Sequence, residues 1–223
     1  QTGIGADGLL VLSPNEVLDF KMDYYNNDGN WETFCLNGLI CCALIINKNF
    51  DKNNFEIISN DIKYQVEIID SDFVKVEMKK PCYKEKNIII NNLCGNYLDS
   101  GAKHLVINYD ADWDRKDKLE IKMKKIRFSN LFEPDGINVN FYKEVNKGAI
   151  EVKTYEKGIE ALMDSCASGS FACAYDYSKK NNIDKKIDII NDGGNSQVVF
   201  NQDYTLNFFL SSGKIEYKGE LEI

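Results

Sequence analysis

Apolar and polar positions alternate with a period of two along most of this chain, in short runs. Residues 20–25, 64–69, 73–78, 105–109, 138–142, 150–155 and 204–210 follow this spacing. It puts every second side chain on one face and predicts half-buried strands. Residues 39–46 and 171–177 depart from it, being almost continuously apolar and rich in small side chains. Each reads as a helix. The run Asn26-Asn27-Asp28-Gly29 is turn chemistry between the first strand and the first helix. The balance is strand-rich with few helices, which makes an α+β protein.

The two helical stretches belong to an internal repeat with an offset of about 130 residues. The first copy carries a strand ending at Tyr25-Asn26 and then Cys35-Leu36-Asn37-Gly38. The second carries a strand ending at Tyr155-Glu156 and then Cys166-Ala167-Ser168-Gly169. Each Cys-x-x-Gly leads into its helix, then a polar turn, then a β-rich run at 55–59 or 187–191. This repeat predicts two equivalent halves. A boundary is expected in the polar stretch 84–92, giving residues 1–88 and 89–213. The alternating tail 214–223 is expected to rejoin the first half.

Composition narrows the partners. The 223 residues suffice for two cores, and 43% hydrophobic with 28% charged residues is ordinary for a globular chain. A net charge of −8 repels phosphate backbones and anionic lipid, so neither nucleic acid nor a membrane surface is an expected partner. No apolar run approaches the roughly 20 residues of a membrane-spanning helix. Seven irregularly spaced cysteines do not form a disulfide framework; free thiols in a cytoplasmic protein are the expectation. Cys41, Cys42, Cys82, Cys94 and Cys173 read as core residues. With one histidine and no Cys-x-x-Cys pairing, no metal site is expected.

Cys35 and Cys166 stand apart because they hold equivalent places. A cysteine followed by a short polar residue and glycine suits a helix entrance. There the backbone dipole lowers a thiol pKa from about 8.5 toward neutrality. Two such thiols facing across a pseudo-twofold cleft suit inversion at a carbon acid. One thiolate removes the α-proton and the other thiol protonates the opposite face. The helix-entrance N–H groups can take up carboxylate charge, so no cofactor is required.

The motifs resemble those of the diaminopimelate epimerase family over nearly the whole chain. They are Gly3-Ile-Gly-Ala-Asp-Gly8, Asn26-Asn-Asp-Gly29 with Cys35-Leu-Asn-Gly38, Gly101-Ala-Lys-His104, Gly136-Ile-Asn138, Tyr155-Glu156-Lys157-Gly158 with Cys166-Ala-Ser-Gly169, and Asp192-Gly-Gly194. The resemblance implies two pseudo-symmetric domains, each a strand-rich sheet wrapped around a central helix. It implies an amino-acid epimerase without cofactor, acting on diaminopimelate for lysine and cell-wall synthesis, as a homodimer. It implies Cys35 and Cys166 as paired acid and base, with Glu156 and His104 orienting substrate and tuning the thiols. Asn37, Gly38, Ser168 and Gly169 would bind the carboxylate at the reacting centre, and Asn26 and Asn138 the distal end.

Departures from the family pattern gather at that distal end. Lys157 replaces an arginine, Ala102 a frequent asparagine and Lys103 a proline; Leu36 and Ala167 replace glycines beside the cysteines. A lysine offers a point charge without a planar fork. A different amino-acid substrate, or a binding homologue without turnover, are therefore the alternative readings. The family's first strand has no counterpart here, which suggests an incomplete N-terminus.

Overall fold

A computed structural model describes residues 6–15, 20–183, 186–216 and 218–219. The first copy of the repeat runs β1 (Gly8–Pro14), β2 (Phe20–Asn26), β3 (Trp31–Glu32), α1 (Leu36–Phe50), β4 (Asn54–Ser59), β5 (Ile62–Asp70) and β6 (Phe73–Met78). Between the copies lie β7 (Cys82–Ile90), β8 (Leu93–Asp99), β9 (Lys103–Asn108) and α2 (Lys116–Arg127). The second copy runs β10 (Asn138–Asn146), β11 (Ala149–Glu156), β12 (Ala161–Met163), α3 (Ala167–Asn181), β13 (Lys186–Asn191), β14 (Gly194–Phe200) and β15 (Asn207–Ser212).

The pairing repeats as faithfully as the sequence. β2 lies antiparallel to β1 and β3 and parallel to β4, which begins the antiparallel meander β4-β5-β6. β11 lies antiparallel to β10 and β12 and parallel to β13, which begins β13-β14-β15. β6 pairs antiparallel with β15, so the two copies share one continuous sheet. β9 extends it by pairing parallel to β10, with β8 and β7 beyond. The protein is α+β, two pseudo-symmetric strand-rich units each wrapped around its own helix.

The helices match closely. Each has 15 residues, an extended cysteine before it (φ −135°, ψ 106° at Cys35; φ −133°, ψ 105° at Cys166) and a left-handed residue after it. Those end residues are Asp51 and Asn182 (φ 54° and 53°), types that tolerate the left-handed region through their short polar side chains. Every residue from Ala167 to Ser178 is buried, as an all-round small and apolar helix requires. One core joins both copies, with Leu39, Ile46, Ile57 and Val76 alongside Phe171, Ile187, Val198 and Phe209. A second core lies under α2, where Leu119, Met123 and Ile126 meet Ile107, Val139 and Phe141.

Two expectations change. Residues 84–90, where a boundary is expected, belong to edge strand β7, paired with β8, and the polar run Lys84 to Asn87 lies on its exposed part. Cys42 and Cys173 are core residues, but Cys41, Cys82 and Cys94 are exposed. Towards the tail, the Gly213 N–H donates to the Asp72 carbonyl at 3.1 Å and Lys218 reaches Asn49 on α1, both in the first copy, while residues 214–216 and 218–219 form no strand. Residues 217 and 220–223 of the tail, and Gly3 to Gly5 of the first motif, lie outside the described residues.

Candidate active site

The strand–turn–helix of each copy delivers one strand end and one helix entrance to the same place. In β2 the alternation buries Phe20, Met22, Tyr24 and Asn26 on one face, so Tyr24 and Asn26 reach the site together. Glu156 ends β11 in the equivalent position. The turns meet closely: a Cβ on Gly158 (φ +90°) would lie 2.8 Å from Asn26 Nδ2. The helix entrances are tied directly, Asn37 Nδ2 donating to the Ser165 carbonyl at 3.3 Å. The glycine three residues after each cysteine is needed for close approach. A Cβ at Gly38 would stand 2.6 Å from Leu10, and one at Gly169 would stand 2.2 Å from Asn140 Oδ1.

A cavity of about 470 Å³ opens between the copies. Of the residues singled out in the sequence, Asn26, Asn138, Glu156, Lys157, Cys166 and Ser168 line it. Cys35 is not itself among the lining residues but follows the lining residue Phe34, and it lies close enough to Cys166 that its ionisation, like the charge of Glu156, would raise that thiol. Glu156 acts in the same way on Cys35. Asn37 turns instead into a smaller cavity of about 210 Å³ with Ser165 and Cys41, while its backbone amide stays near the Cys35 sulfur. Asn138 uses its amide to bridge loops, Nδ2 donating to the Lys103 carbonyl and Oδ1 accepting from the Lys157 N–H.

The expected lowering of both thiol pKa values is not what the structure shows. Burial pushes Cys35 up to about 12 and Cys166 higher still, with the negative charge of Glu156 adding to both. The helix-entrance amides oppose this: Gly38 donates to Cys35 Sγ at 3.2 Å, and Gly169 acts on Cys166. Desolvation of the two buried sulfurs outweighs two or three backbone dipoles. Both sulfurs therefore rest as thiols.

His104 lies behind the cavity wall and is fully buried. Its Nδ1 accepts from Asn140 Nδ2 at 3.0 Å, and Thr154 Oγ1 donates to Asn140 Oδ1, which fixes that amide. The ring proton is then on Nε2, donating to Ser168 Oγ at 3.1 Å. Ser168 Oγ stands 3.6 Å from Cys166 Sγ. Burial lowers the imidazole to about 4, so it is neutral and acts through Ser168.

Burial, then Asp7 and Glu32, raise Glu156 to about 7 from 4.5. Between those values the folded chain holds a proton that the unfolded chain releases, so the stability from this group is lost as pH rises through that window. Glu156→Gln is expected to stabilise the protein at pH 8, by at most ~3 kcal/mol at about 1.4 kcal/mol per pKa unit, and to leave it unchanged at pH 4. Urea unfolding of both proteins at the two pH values checks this; equal differences at both would contradict a buried, ionisable Glu156.

No family model matches the chain. The diaminopimelate epimerase of Flavobacterium psychrophilum is 34% identical over 227 residues, covering 99% of this chain and 85% of that protein. That of Aquifex aeolicus is 30% identical over 230 residues, covering 99% and 81%. The chain belongs to the diaminopimelate epimerase family. It is accordingly an isomerase, an amino-acid epimerase or racemase. Solved structures extend the likeness of fold. A hydroxyproline epimerase from Agrobacterium vitis, with bound trans-4-hydroxy-L-proline, matches with TM-score 0.70 at 12% identity, over 92% of this chain and 71% of that one. A phenazine biosynthesis protein of the PhzF family from Bacillus anthracis matches with TM-score 0.66 at 12% identity, over 93% and 81%.

Several residues that line the cavity in this member of the diaminopimelate epimerase family are not among the expected site residues, Tyr24, Glu32 and Asp135 among them. Tyr24 faces the cavity two positions before Asn26, and period-two spacing alone could have placed it there. Glu32 accepts from Asn26 Nδ2 at 3.4 Å. Asp135 pairs with Lys103 at 2.6 Å, a contact between a loop and the first residue of β9 that no local pattern announces.

Proposed function

We propose that this chain is a cofactor-independent two-cysteine epimerase that interconverts LL- and meso-diaminopimelate, serving lysine and cell-wall synthesis. The observation that carries the reading is the matched pair of helix entrances. Cys35 and Cys166 share dihedral angles within a degree or two, precede helices of equal length, and fall within each other's electrostatic reach beside one carboxylate. Such a pair can address opposite faces of one α-carbon.

One sulfur must be a thiolate to begin. A substrate ammonium placed against Glu156 would neutralise the charge that now raises both thiols and would favour ionisation of one. That thiolate takes the α-proton, and the electron pair moves into the carboxylate. The N–H groups at the two helix entrances stabilise the resulting charge. The opposite thiol then protonates the carbon from its other face, leaving the ionisation states of the two sulfurs exchanged. The Asn140–His104–Ser168 chain holds a hydroxyl beside Cys166 through the cycle.

Lys157 lines the distal part of the cavity and supplies a point charge for a second carboxylate. The Lys103–Asp135 pair at its wall favours a second reading, in which the distal group is a different polar one. Incubation with LL-diaminopimelate in deuterated water, beside a panel of other L-amino acids, distinguishes them. Deuterium at the α-carbon with conversion to the meso form is expected. Preferred exchange of another amino acid would overturn the substrate assignment, and exchange of none would overturn the activity.

A further inference from the structure

Arg127 is one of two arginines in a chain with 25 lysines, and its surroundings differ from those of the other. Arg115 is an exposed side chain paired within its own turn to Asp117. Arg127, at the end of α2, folds inward and is 12% exposed. Its Nη2 lies 2.7 Å from Glu160 Oε1. It does not line the cavity, yet it touches both loops that do.

The first loop carries Glu156 and Lys157. Glu160, itself in the left-handed region (φ 57°), closes this turn: its N–H donates to the Glu156 carbonyl at 2.8 Å, and its Oε1 accepts from the Gly158 N–H at 3.0 Å. Tyr155 Oη donates to the Glu160 carbonyl at 2.7 Å. The second loop carries Asp135 and Asn138. Its Gly136 (φ +66°) lies against the guanidinium so closely that a Cβ would fall 1.9 Å from Arg127 Nη1. The loops are joined above by the Lys157 N–H on Asn138 Oδ1.

The pair is poorly built for stability. The atoms Arg127 Nε and Glu160 Oε2 are both buried with no hydrogen-bond partner among the described residues. A part-buried ion pair with unmet hydrogen bonds, the Glu160 side chain being 33% exposed, contributes little net stability, and such pairs can serve instead to fix one geometry. A flat guanidinium can stack under a glycine turn while bonding sideways; an ammonium cannot do both. We infer that Arg127 and Glu160 are positioning residues for this enzyme, a brace beneath the site that fixes Glu156 and Lys157 against the cysteines.

The inference rests on the proposed reaction only for what Glu156 does there, so its test needs no turnover. Alkylation of Cys35 by iodoacetamide, followed by peptide mass spectrometry across pH 6–10, reports whether Glu156 still stands near that thiol. In Arg127→Met the Cys35 profile is expected to shift to lower pH, in the same direction as in Glu156→Gln, because the carboxylate is no longer held nearby. Glu160→Gln keeps an acceptor for Gly158 and guards against a variant that fails to fold; it is expected to shift less, in the same direction. The double variant Arg127→Met/Glu160→Gln removes the orphaned charge, so its Tm is expected to recover while its alkylation profile stays shifted. With diaminopimelate turnover in the parent, the same variants are expected to raise KM about tenfold with kcat changed less than threefold. Profiles superimposable on the parent's, with only Tm moved, would make the pair merely structural and overturn the inference. A parent without turnover would overturn the proposed reaction and leave the alkylation result to decide this one.

Discussion

Cys35→Ser and Cys166→Ser are each expected to abolish inversion, with kcat falling on the order of 10³-fold, the scale on which a positioned acid or base contributes. A serine hydroxyl is a far weaker acid than a thiol. It inherits the same desolvation, which already pushes Cys35 up to about 12 and Cys166 further. The two variants differ in what survives. Each keeps one thiol on one side of the α-carbon, so each is expected to exchange the α-proton of only one epimer with deuterated water, returning it to the face it left. The epimer exchanged by Cys35→Ser is not the one exchanged by Cys166→Ser, and the double variant exchanges neither. Proton NMR of each epimer in deuterated buffer measures this. Exchange of both epimers by either single variant, or retention of more than a tenth of kcat by both, would remove the opposed-thiol arrangement.

The residues that carry this prediction were legible because the chain states them twice. Cys-x-x-Gly after an alternating strand occurs at 35 and at 166, and the two helices it opens end in the same left-handed cap. Duplication converts a weak local signal into a geometric one. Strands β6 and β13 were equally readable, since their alternate residues are fully buried or nearly so. Helix α2 is masked in the sequence, although Leu119, Met123 and Ile126 mark one face at helical spacing; its nine other positions are mostly charged and hide that stripe. Strand β7 was missed for the opposite reason. It lies at a sheet edge, where an exposed strand is best kept polar, and polarity there imitates a linker.

Ionisation is where sequence reasoning went furthest astray. The helix entrance was read correctly, but its effect on the thiol was judged without the burial around it. Dipoles are local and visible in a motif; desolvation depends also on the opposing copy, whose Glu156, Cys166 and Ser168 line the same cavity as Tyr24 and Phe34 from more than 120 residues away. Asp135 escaped notice for the same reason. Its meaning comes from Lys103, 32 residues away and paired through a loop contact.

The same dependence on distant partners makes Asp176 the largest stability prediction. This carboxylate sits on α3 and is only 5% exposed. It accepts from Tyr83 Oη of β7 at 2.9 Å, Asn96 Nδ2 of β8 at 2.8 Å and Tyr142 Oη of β10 at 2.8 Å. Burial and this carboxylate together raise both tyrosines well above their ordinary values. Three strands of the sheet are thus fastened to the helix that Cys166 opens. Asp176→Ala would leave three donors unmet, each at about 1–3 kcal/mol when buried. Tyr83 and Asn96 recover part of this from solvent, so a loss of about 4 kcal/mol is expected. In a chain of this size that lowers Tm by roughly 10 °C, at about 2–4 °C per kcal/mol. Adding Tyr142→Phe to Asp176→Ala removes the most deeply buried orphan, and the double variant is expected to be more stable than Asp176→Ala alone. Calorimetry or urea titration of the three proteins decides the matter. A change within about 0.5 kcal/mol for Asp176→Ala, or strict additivity with Tyr142→Phe, would show that solvent reaches these groups and that α3 is held by its apolar contacts alone.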